Sequence, residues 1–135
     1  MSRDWCKDIN NMHHEYGVRT WVENNPSKLK DYLQFRANFI QEELDELQNA
    51  IKTNDSEEIV DALIDICVVA IGTLDAFDVD GYKAWDEVLK ANMAKEVGKK
   101  ESRPNPLGLP DLIKPSDWQA PSHNLNHGLF ETLEK

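Results

Sequence analysis

The stretch from Phe39 to Gly72, FIQEELDELQNAIKTNDSEEIVDALIDICVVAIG, decides how this chain is read. Its apolar spacing predicts two helices with a short polar break, Thr53-Asn54-Asp55-Ser56, between them. Leading into and along the first helix, Leu33, Ala37, Ile40, Leu44, Leu47 and Ile51 recur at steps of three and four and form one apolar stripe. A second stripe runs beside it through Tyr32, Phe39, Glu43, Glu46 and Ala50, apolar at both ends and acidic in the middle. Glu43 and Glu46 are three apart and share a face. Glu42 lies about 100° round from Glu43, beside that face. On the second helix, Ile59, Val60, Leu63, Ile64, Ile66, Cys67, Val68, Val69, Ala70, Ile71 and Leu74 leave almost no polar side, the pattern of a buried helix. Glu58, Asp61 and Asp65 form its one acidic line. That line continues into Val68 and Gly72, so it is expected to point inward. Acids in positions patterned as core mark a conflict that functional sites commonly carry.

A short break makes the two helices antiparallel neighbours. Folding them about residue 54 brings Glu43 level with Asp65, and Glu46 level with Asp61 or Ala62. Glu58 falls nearer the loop, by roughly 6 Å at 1.5 Å per residue. Carboxylates would then face one another across one groove. Unpaired buried ions cost several kcal/mol each, and no run of Lys or Arg lies on these faces to neutralise them. A divalent cation is the simplest remedy. All-oxygen ligands select a hard ion, Mg²⁺ or Mn²⁺, over Zn²⁺. The expected metal ligands are Glu43, Glu46, Glu58, Asp61 and Asp65. Glu58 ranks below Asp61 and Asp65, because an acid in the first turn of a helix already has an ordinary explanation in the helix dipole. The alternative is a solvated acidic face, the usual meaning of a lone ExxE; two facing clusters inside apolar stripes argue against it. A di-iron carboxylate bundle would need a Glu-x-x-His pair from each of two helices. None of His13, His14, His123 or His127 follows an acid by three residues on these helices.

The chain has 135 residues, which points to one domain with one small core. The formal net charge of −10 argues against nonspecific binding to nucleic acid or to anionic membranes. A phosphate-bearing ligand would have to be held locally, by metal and a few placed cations. Cys6 and Cys67 are far apart in sequence, and free cysteines are expected. The first residues lack the apolar run of a signal peptide, and the longest apolar run, Ile64 to Leu74, is too short and too interrupted to span a bilayer. A cytoplasmic protein is the expectation.

Residues 4–16 have the pattern of a short helix with Trp5, Ile9, Met12 and Tyr16 on its apolar face and Gly17 at its end. His13 and His14 lie beside that face, where a structural role is expected. Pro26 and Ser27 open the long helix, with Ser27 read as its N-cap. Arg36, one turn before Phe39, is expected to pair with an acid or to reach a phosphate. Asp55 or Ser56 caps the next helix. Gly81 marks the turn into a helix from Tyr82 to Glu96, whose apolar side is Trp85, Val88, Leu89 and Met93. Asn92 and Lys95 share a face near its end; from pattern alone, Lys95 is a solvated cation at a helix C-terminus. From Gly98 onward Pro104, Pro106, Pro110, Pro115 and Pro121 exclude regular helix. The segment 109–118 carries apolar anchors and is expected to wrap over the helices as an ordered arm. The tail after Pro121 is expected to be loose, apart from a last turn at Leu129 to Leu133.

These residues carry a family resemblance. Glu42-Glu43-Leu44-Asp45-Glu46-Leu47 is similar to the EExxE half of the EExxE…ExxD signature of the all-α nucleoside triphosphate pyrophosphohydrolases, the MazG-like superfamily. Asp61-Ala62-Leu63-Ile64-Asp65, followed by an apolar run to Gly72, looks like the second half. The ExxD can also be placed as Glu58-x-x-Asp61, but the spacing after Glu46 is then slightly short; the hairpin geometry favours Asp61 and Asp65. Residues 84–95 resemble the F-x-E-V-H-x-x-N-M-x-K helix of the phosphoribosyl-ATP pyrophosphohydrolase-like branch, often found in phages, with Leu89 where that branch often has histidine. Met12-His13-His14-Glu15-Tyr16-Gly17 is similar to the branch's first helix, and the Lys114-Pro115…Trp118…Pro121 arm to its C-terminal extension.

The resemblance implies an all-α, four-helix bundle over residues 1–97 with a Pro-rich arm over 98–135. It implies Mg²⁺-dependent cleavage of a nucleotide, a dNTP or NTP, between the α- and β-phosphates to the monophosphate and pyrophosphate. Carboxylate-held Mg²⁺ would stabilise the charge that builds on the phosphate oxygens. Glu43 or Glu46 would orient or deprotonate the attacking water. Lys95 would neutralise phosphate charge and Asn92 would hydrogen-bond the substrate. The very apolar second helix of the acidic pair implies a partner subunit, in a homodimer or homotetramer. Hydrolysis of phosphoribosyl-ATP is the alternative within enzymes. A noncatalytic, metal-binding helical protein is the alternative outside them.

Overall fold

The first helix starts where Asp4 turns its carboxylate back onto the Lys7 N–H (3.0 Å), satisfying a donor that the first turn leaves free. In the computed structural model, which describes residues 3–100 and 104–134, this helix, α1, spans Trp5–Glu15. Gly17 follows with φ at 79°, a left-handed position suited to glycine, and leads directly into α2, Val18–Asn24. A 3₁₀ turn at Pro26–Lys28 precedes the long helix α3, Leu29–Lys52. Ser27 therefore lies inside that turn. It does not cap α3, which begins one residue after Lys28 without a side-chain cap. Helix α4 spans Ser56–Ala76, and its cap is Asp55, whose side chain accepts from the Glu58 N–H (3.1 Å). Helix α5 spans Gly81–Met93. It stops short of the expected Glu96, because residues 96–98 leave the helix as a strand, β1 (Glu96–Gly98), that pairs with β2 (Asp111–Ile113). A 3₁₀ helix closes the chain at Gly128–Glu134. The class is an all-α bundle with one small ribbon. Among the described residues no helix is long and apolar enough to cross a membrane.

The chain forms two compact units, Met1–Gly81 with His127–Lys135, and Tyr82–Asn126. In the first, α3 and α4 form the antiparallel pair, with α1 and α2 packed on α4. Val22, Leu29, Ala76 and the fully buried Phe77 make its core, with Tyr32 and Leu33 against them. The C-terminal segment belongs to this core. Phe130 stacks on Phe77 at 4.3 Å with the rings 9° from parallel, and the Leu129 N–H donates to the Phe77 carbonyl (2.7 Å). Gly128 has φ at 54° and approaches so closely that a Cβ there would collide with that carbonyl. The expectation of a loose tail is thus corrected: its end is docked, and the last turn expected at Leu129 to Leu133 is the part that docks it.

In the second unit β1 and β2 run antiparallel, with Glu96 opposite Ile113, Val97 opposite Leu112 and Gly98 opposite Asp111. The Pro-rich arm is tied to α5: the Trp118 indole N–H donates to the Ala91 carbonyl (2.7 Å), and the Ser122 N–H donates to Glu87 (3.2 Å).

Of the two stripes on α3, the mixed one is the better buried. Glu43 and Ala50 are buried and Tyr32 and Phe39 half-buried, whereas Ala37, Leu44 and Ile51 of the continuous apolar stripe are exposed. Helix α4 is not buried all round in the single chain. Val60, Leu63 and Ile64 are 64 %, 48 % and 46 % exposed. Helices α1, α2 and α3 pack against α4, and its buried line runs from Ala62 through Val69 and Gly72 to Ala76.

Candidate active site

Across the α3–α4 hairpin the acids lie near enough to act on one another's charge. Glu43 faces Asp65 and Asp61 across the helix pair, with Glu46 beside it on α3, and Glu58 adds its charge from nearer the turn. The acids differ in exposure. Glu43 is buried at 7 %, Glu58 and Asp65 are half-buried, and Glu46 and Asp61 are exposed at the groove mouth. The line Glu58, Asp61 and Asp65 of α4 was expected to point inward, yet Asp61 is exposed and the other two are only half-buried; the buried acid is Glu43 of α3.

That placement sets the electrostatics. The Glu43 carboxyl is pushed up from its ordinary 4.5 to about 7, first by burial, then by the Glu46 and Asp65 charges, hydrogen bonding to Glu46 and the Asp61 charge. Asp65 is raised by burial, by the Asp61 charge and hydrogen bond, and by Glu46. Glu58 is raised by burial, then by Asp61, Glu46, Asp55 and Asp65. The causes are of one kind: desolvation and neighbouring negative charge, with no cation among them. Oε2 of Glu43 is buried with no hydrogen-bond partner among the described residues, the state of a carboxylate whose partner is something other than protein.

A hard divalent cation fits this donor set, since the groups that act on Glu43 are carboxylates and its own Oε2 is orphaned. Among the described residues no three acidic, imidazole or thiol side chains converge tightly enough to hold an ion as they stand. Holding an ion there would require movement of these side chains, of which Glu46 and Asp61 are the exposed ones.

Asn92 and Lys95 belong to the second unit. Asn92 is exposed near the end of α5, and its carbonyl accepts from the Lys95 N–H (3.2 Å). Lys95 lies beyond the helix, not on it, with Nζ 5.5 Å from the centre of the Trp118 ring; Lys114 Nζ lies 4.7 Å from the same ring. The cation is held by the arm's tryptophan, which spacing along α5 does not reveal.

Beyond the acids lies a polar network that the sequence reading passed over. His13 is buried, and its Nδ1 lies 2.8 Å from Asp75. Asn10 donates to the other Asp75 oxygen (2.8 Å), and Arg19 bonds Asp75 and Asp78. Burial lowers the His13 pKa, and the Arg36 and Arg19 charges add to that against the pull of Asp75. Arg36 pairs with no acid among the described residues, contrary to the first expectation for it. Its Nε donates to the Thr73 hydroxyl (3.1 Å) and its Nη2 to the Val69 carbonyl (2.9 Å). The available signal was the polar residues Thr73 and Asp75 at the end of an otherwise apolar helix.

No curated protein and no solved structure matches the chain. The family model described as phosphoribosyl-ATP pyrophosphohydrolase matches residues 19–92, more than half of the chain, and that span holds both acidic helices and most of α5. With the facing carboxylates of α3 and α4 inside the matched span, the chain belongs to the phosphoribosyl-ATP pyrophosphohydrolase family of the MazG-like superfamily, hydrolases acting on phosphorus-containing anhydrides.

Proposed function

We propose that the protein hydrolyses a nucleoside triphosphate, dNTP or NTP, between the α- and β-phosphates, in a Mg²⁺-dependent reaction that yields the monophosphate and pyrophosphate. The observation that carries this reading is the buried Glu43 carboxyl, orphaned at Oε2 and raised to about 7 among acids alone. Bound Mg²⁺ (or Mn²⁺) would supply charge neutralisation at the phosphate oxygens. Glu43, Glu46, Asp61 and Asp65 would hold it, with Glu58 at the edge of the set. A carboxylate of the Glu43–Glu46 pair that is not fully used by the metal takes the proton of the attacking water. Asn92 and Lys95 are assigned to the substrate on the strength of the motif they share with the family's helix. Lys95 neutralises phosphate charge and Asn92 donates a hydrogen bond.

The matched family model supports a second substrate, phosphoribosyl-ATP, which carries the same anhydride. A homodimer or homotetramer is part of the proposal. The exposed Val60, Leu63 and Ile64 of α4 and the 56 %-exposed Ile51 of α3 are the apolar surface it would cover. The deciding experiment is pyrophosphate release from a panel of NTPs, dNTPs and phosphoribosyl-ATP, with Mg²⁺ and with EDTA. Mg²⁺-dependent release of pyrophosphate and monophosphate from a triphosphate is the expected result. Release from phosphoribosyl-ATP alone would replace the substrate. No release from any of them by folded protein would return the site to a noncatalytic metal-binding role.

A further inference from the structure

Arg36 bridges two helices without an acid to receive its charge. Its Nε donates to the Thr73 hydroxyl, which itself donates to the Val69 carbonyl (2.7 Å), and its Nη2 donates to that same carbonyl. The guanidinium, the hydroxyl and the carbonyl close a small ring of directional bonds between α3 and α4. Gly72 makes the approach possible. A Cβ there would stand 2.6 Å from Arg36 Nη2 and 3.3 Å from His13 Nε2. So α4 is bare where α3 crosses it, and α1 closes the far side with a histidine that Asp75 holds in place.

The position of this contact relative to the acids is what gives it consequence. Arg36 precedes Glu43 by seven residues on α3, and Gly72 follows Asp65 by seven on α4. Two helical turns, roughly 10 Å on each helix, therefore separate the Arg36–Gly72 contact from the Glu43–Asp65 level in the same antiparallel register. Between these levels lie the half-buried Phe39 and Ile40 of α3 and the half-buried Val68 and buried Val69 of α4, apolar side chains whose attraction is nondirectional. The turn at Thr53–Asp55 ties the hairpin at its other end. Like charges in the groove repel and act to splay the helices, and the described side-chain hydrogen bonds that tie α3 to α4 are those of Arg36.

We infer that Arg36 is a positioning residue for the metal-binding carboxylates: with Gly72 as its seat, it fixes the register and spacing of α3 and α4 that bring Glu43 opposite Asp65. This rests on the metal reading of the groove given above, and it adds a determinant that touches neither ion nor substrate.

The test is a double-mutant cycle with two readouts. Arg36→Met, Gly72→Ala and the pair are compared with the unaltered protein, by urea unfolding in EDTA and by Mn²⁺ affinity from the electron paramagnetic resonance of free Mn²⁺. Arg36→Met keeps the apolar stem and loses the donors. It is expected to weaken Mn²⁺ binding roughly tenfold, the low end of what orienting partners contribute to metal affinity. Gly72→Ala should weaken it as well. The double variant should be no worse than Arg36→Met, because the group that the new methyl would displace has gone. If Arg36→Met does not fold, Arg36→Lys replaces it; it keeps the charge without the bidentate reach and should weaken Mn²⁺ binding by less than roughly tenfold. Unchanged Mn²⁺ affinity in folded Arg36→Met overturns the inference. So does strict additivity in both readouts, and so does unchanged Mn²⁺ affinity with a raised KM, which would make Arg36 a substrate contact. Absence of Mn²⁺ binding by the unaltered protein overturns the metal reading itself, and is told apart from the other failures by that row alone.

Discussion

Glu43→Gln should stabilise the metal-free protein at alkaline pH and abolish its stabilisation by Mg²⁺. The folded carboxyl titrates at about 7, against an ordinary value of 4.5. Between those values the native state keeps a proton that the unfolded chain has released. Stability therefore falls as pH rises through this window, and the deficit is complete above about 7. Taken whole, a displacement of that size is worth about 3 kcal/mol at about 1.4 kcal/mol per pKa unit. Glu46 and Asp61 stand at the exposed mouth of the groove, so water and salt screen their repulsion, and about 1–2 kcal/mol is the expected size. Glutamine keeps the shape and removes the charge. In EDTA at pH 8, Glu43→Gln should then melt higher than the unaltered protein by several degrees, at roughly 3–5 °C per kcal/mol for a chain of this length. The two should converge near pH 5. Added Mg²⁺ should reverse the order at pH 8: a ligand at a hundred times its Kd stabilises by about 2.7 kcal/mol, and the variant has lost a ligand. The assay is thermal unfolding by circular dichroism across pH, with EDTA and with Mg²⁺. A variant that melts lower than the unaltered protein in EDTA at pH 8 would refute the charge argument. Equal stabilisation of both by Mg²⁺ would refute Glu43 as a ligand.

Three further outcomes are expected. Glu46→Gln should lower pyrophosphate release by at least about a hundredfold, the scale of a lost proton-transfer group, without lowering the melting temperature in EDTA; a stability loss with activity retained would count against its role. Gly128→Ala should cost about 2 kcal/mol or more in urea unfolding, because φ at 54° disfavours a side chain and the methyl would strike the Phe77 carbonyl; a neutral result would mean that the C-terminal segment does not hold the core. Val60→Asp together with Ile64→Asp should reduce any oligomer to monomer in sedimentation velocity, and an unchanged sedimentation coefficient would place the interface elsewhere.

The acidic hairpin was legible because periodicity reports which residues share a helix face. The steps from Glu43 to Glu46 and from Asp61 to Asp65, with a break at 53–55, by themselves point these groups at one groove. The hairpin register follows from the short turn alone. What periodicity does not report is depth. Glu43 and Glu46 are equivalent by pattern, yet one is buried and the other lies at the mouth. The choice between the two stripes on α3 depends on where α4 and α1 lie. The apolar surface of α4 likewise reads as core, and a single chain leaves Val60, Leu63 and Ile64 in the open.

Sequence by itself determined the class of the fold, the pairing of α3 with α4, and which carboxylates meet at their groove. Each of these depends on residue spacing within a short span. Tertiary structure alone decided which carboxyl is desolvated, that Arg36 is held by the Val69 carbonyl and the Thr73 hydroxyl, that Lys95 rests on Trp118, and that Phe130 seals Phe77. These are contacts between residues far apart in the chain. They depend on how the helices pack and on where backbone groups come within hydrogen-bonding distance, and neither is encoded in the spacing along any one helix.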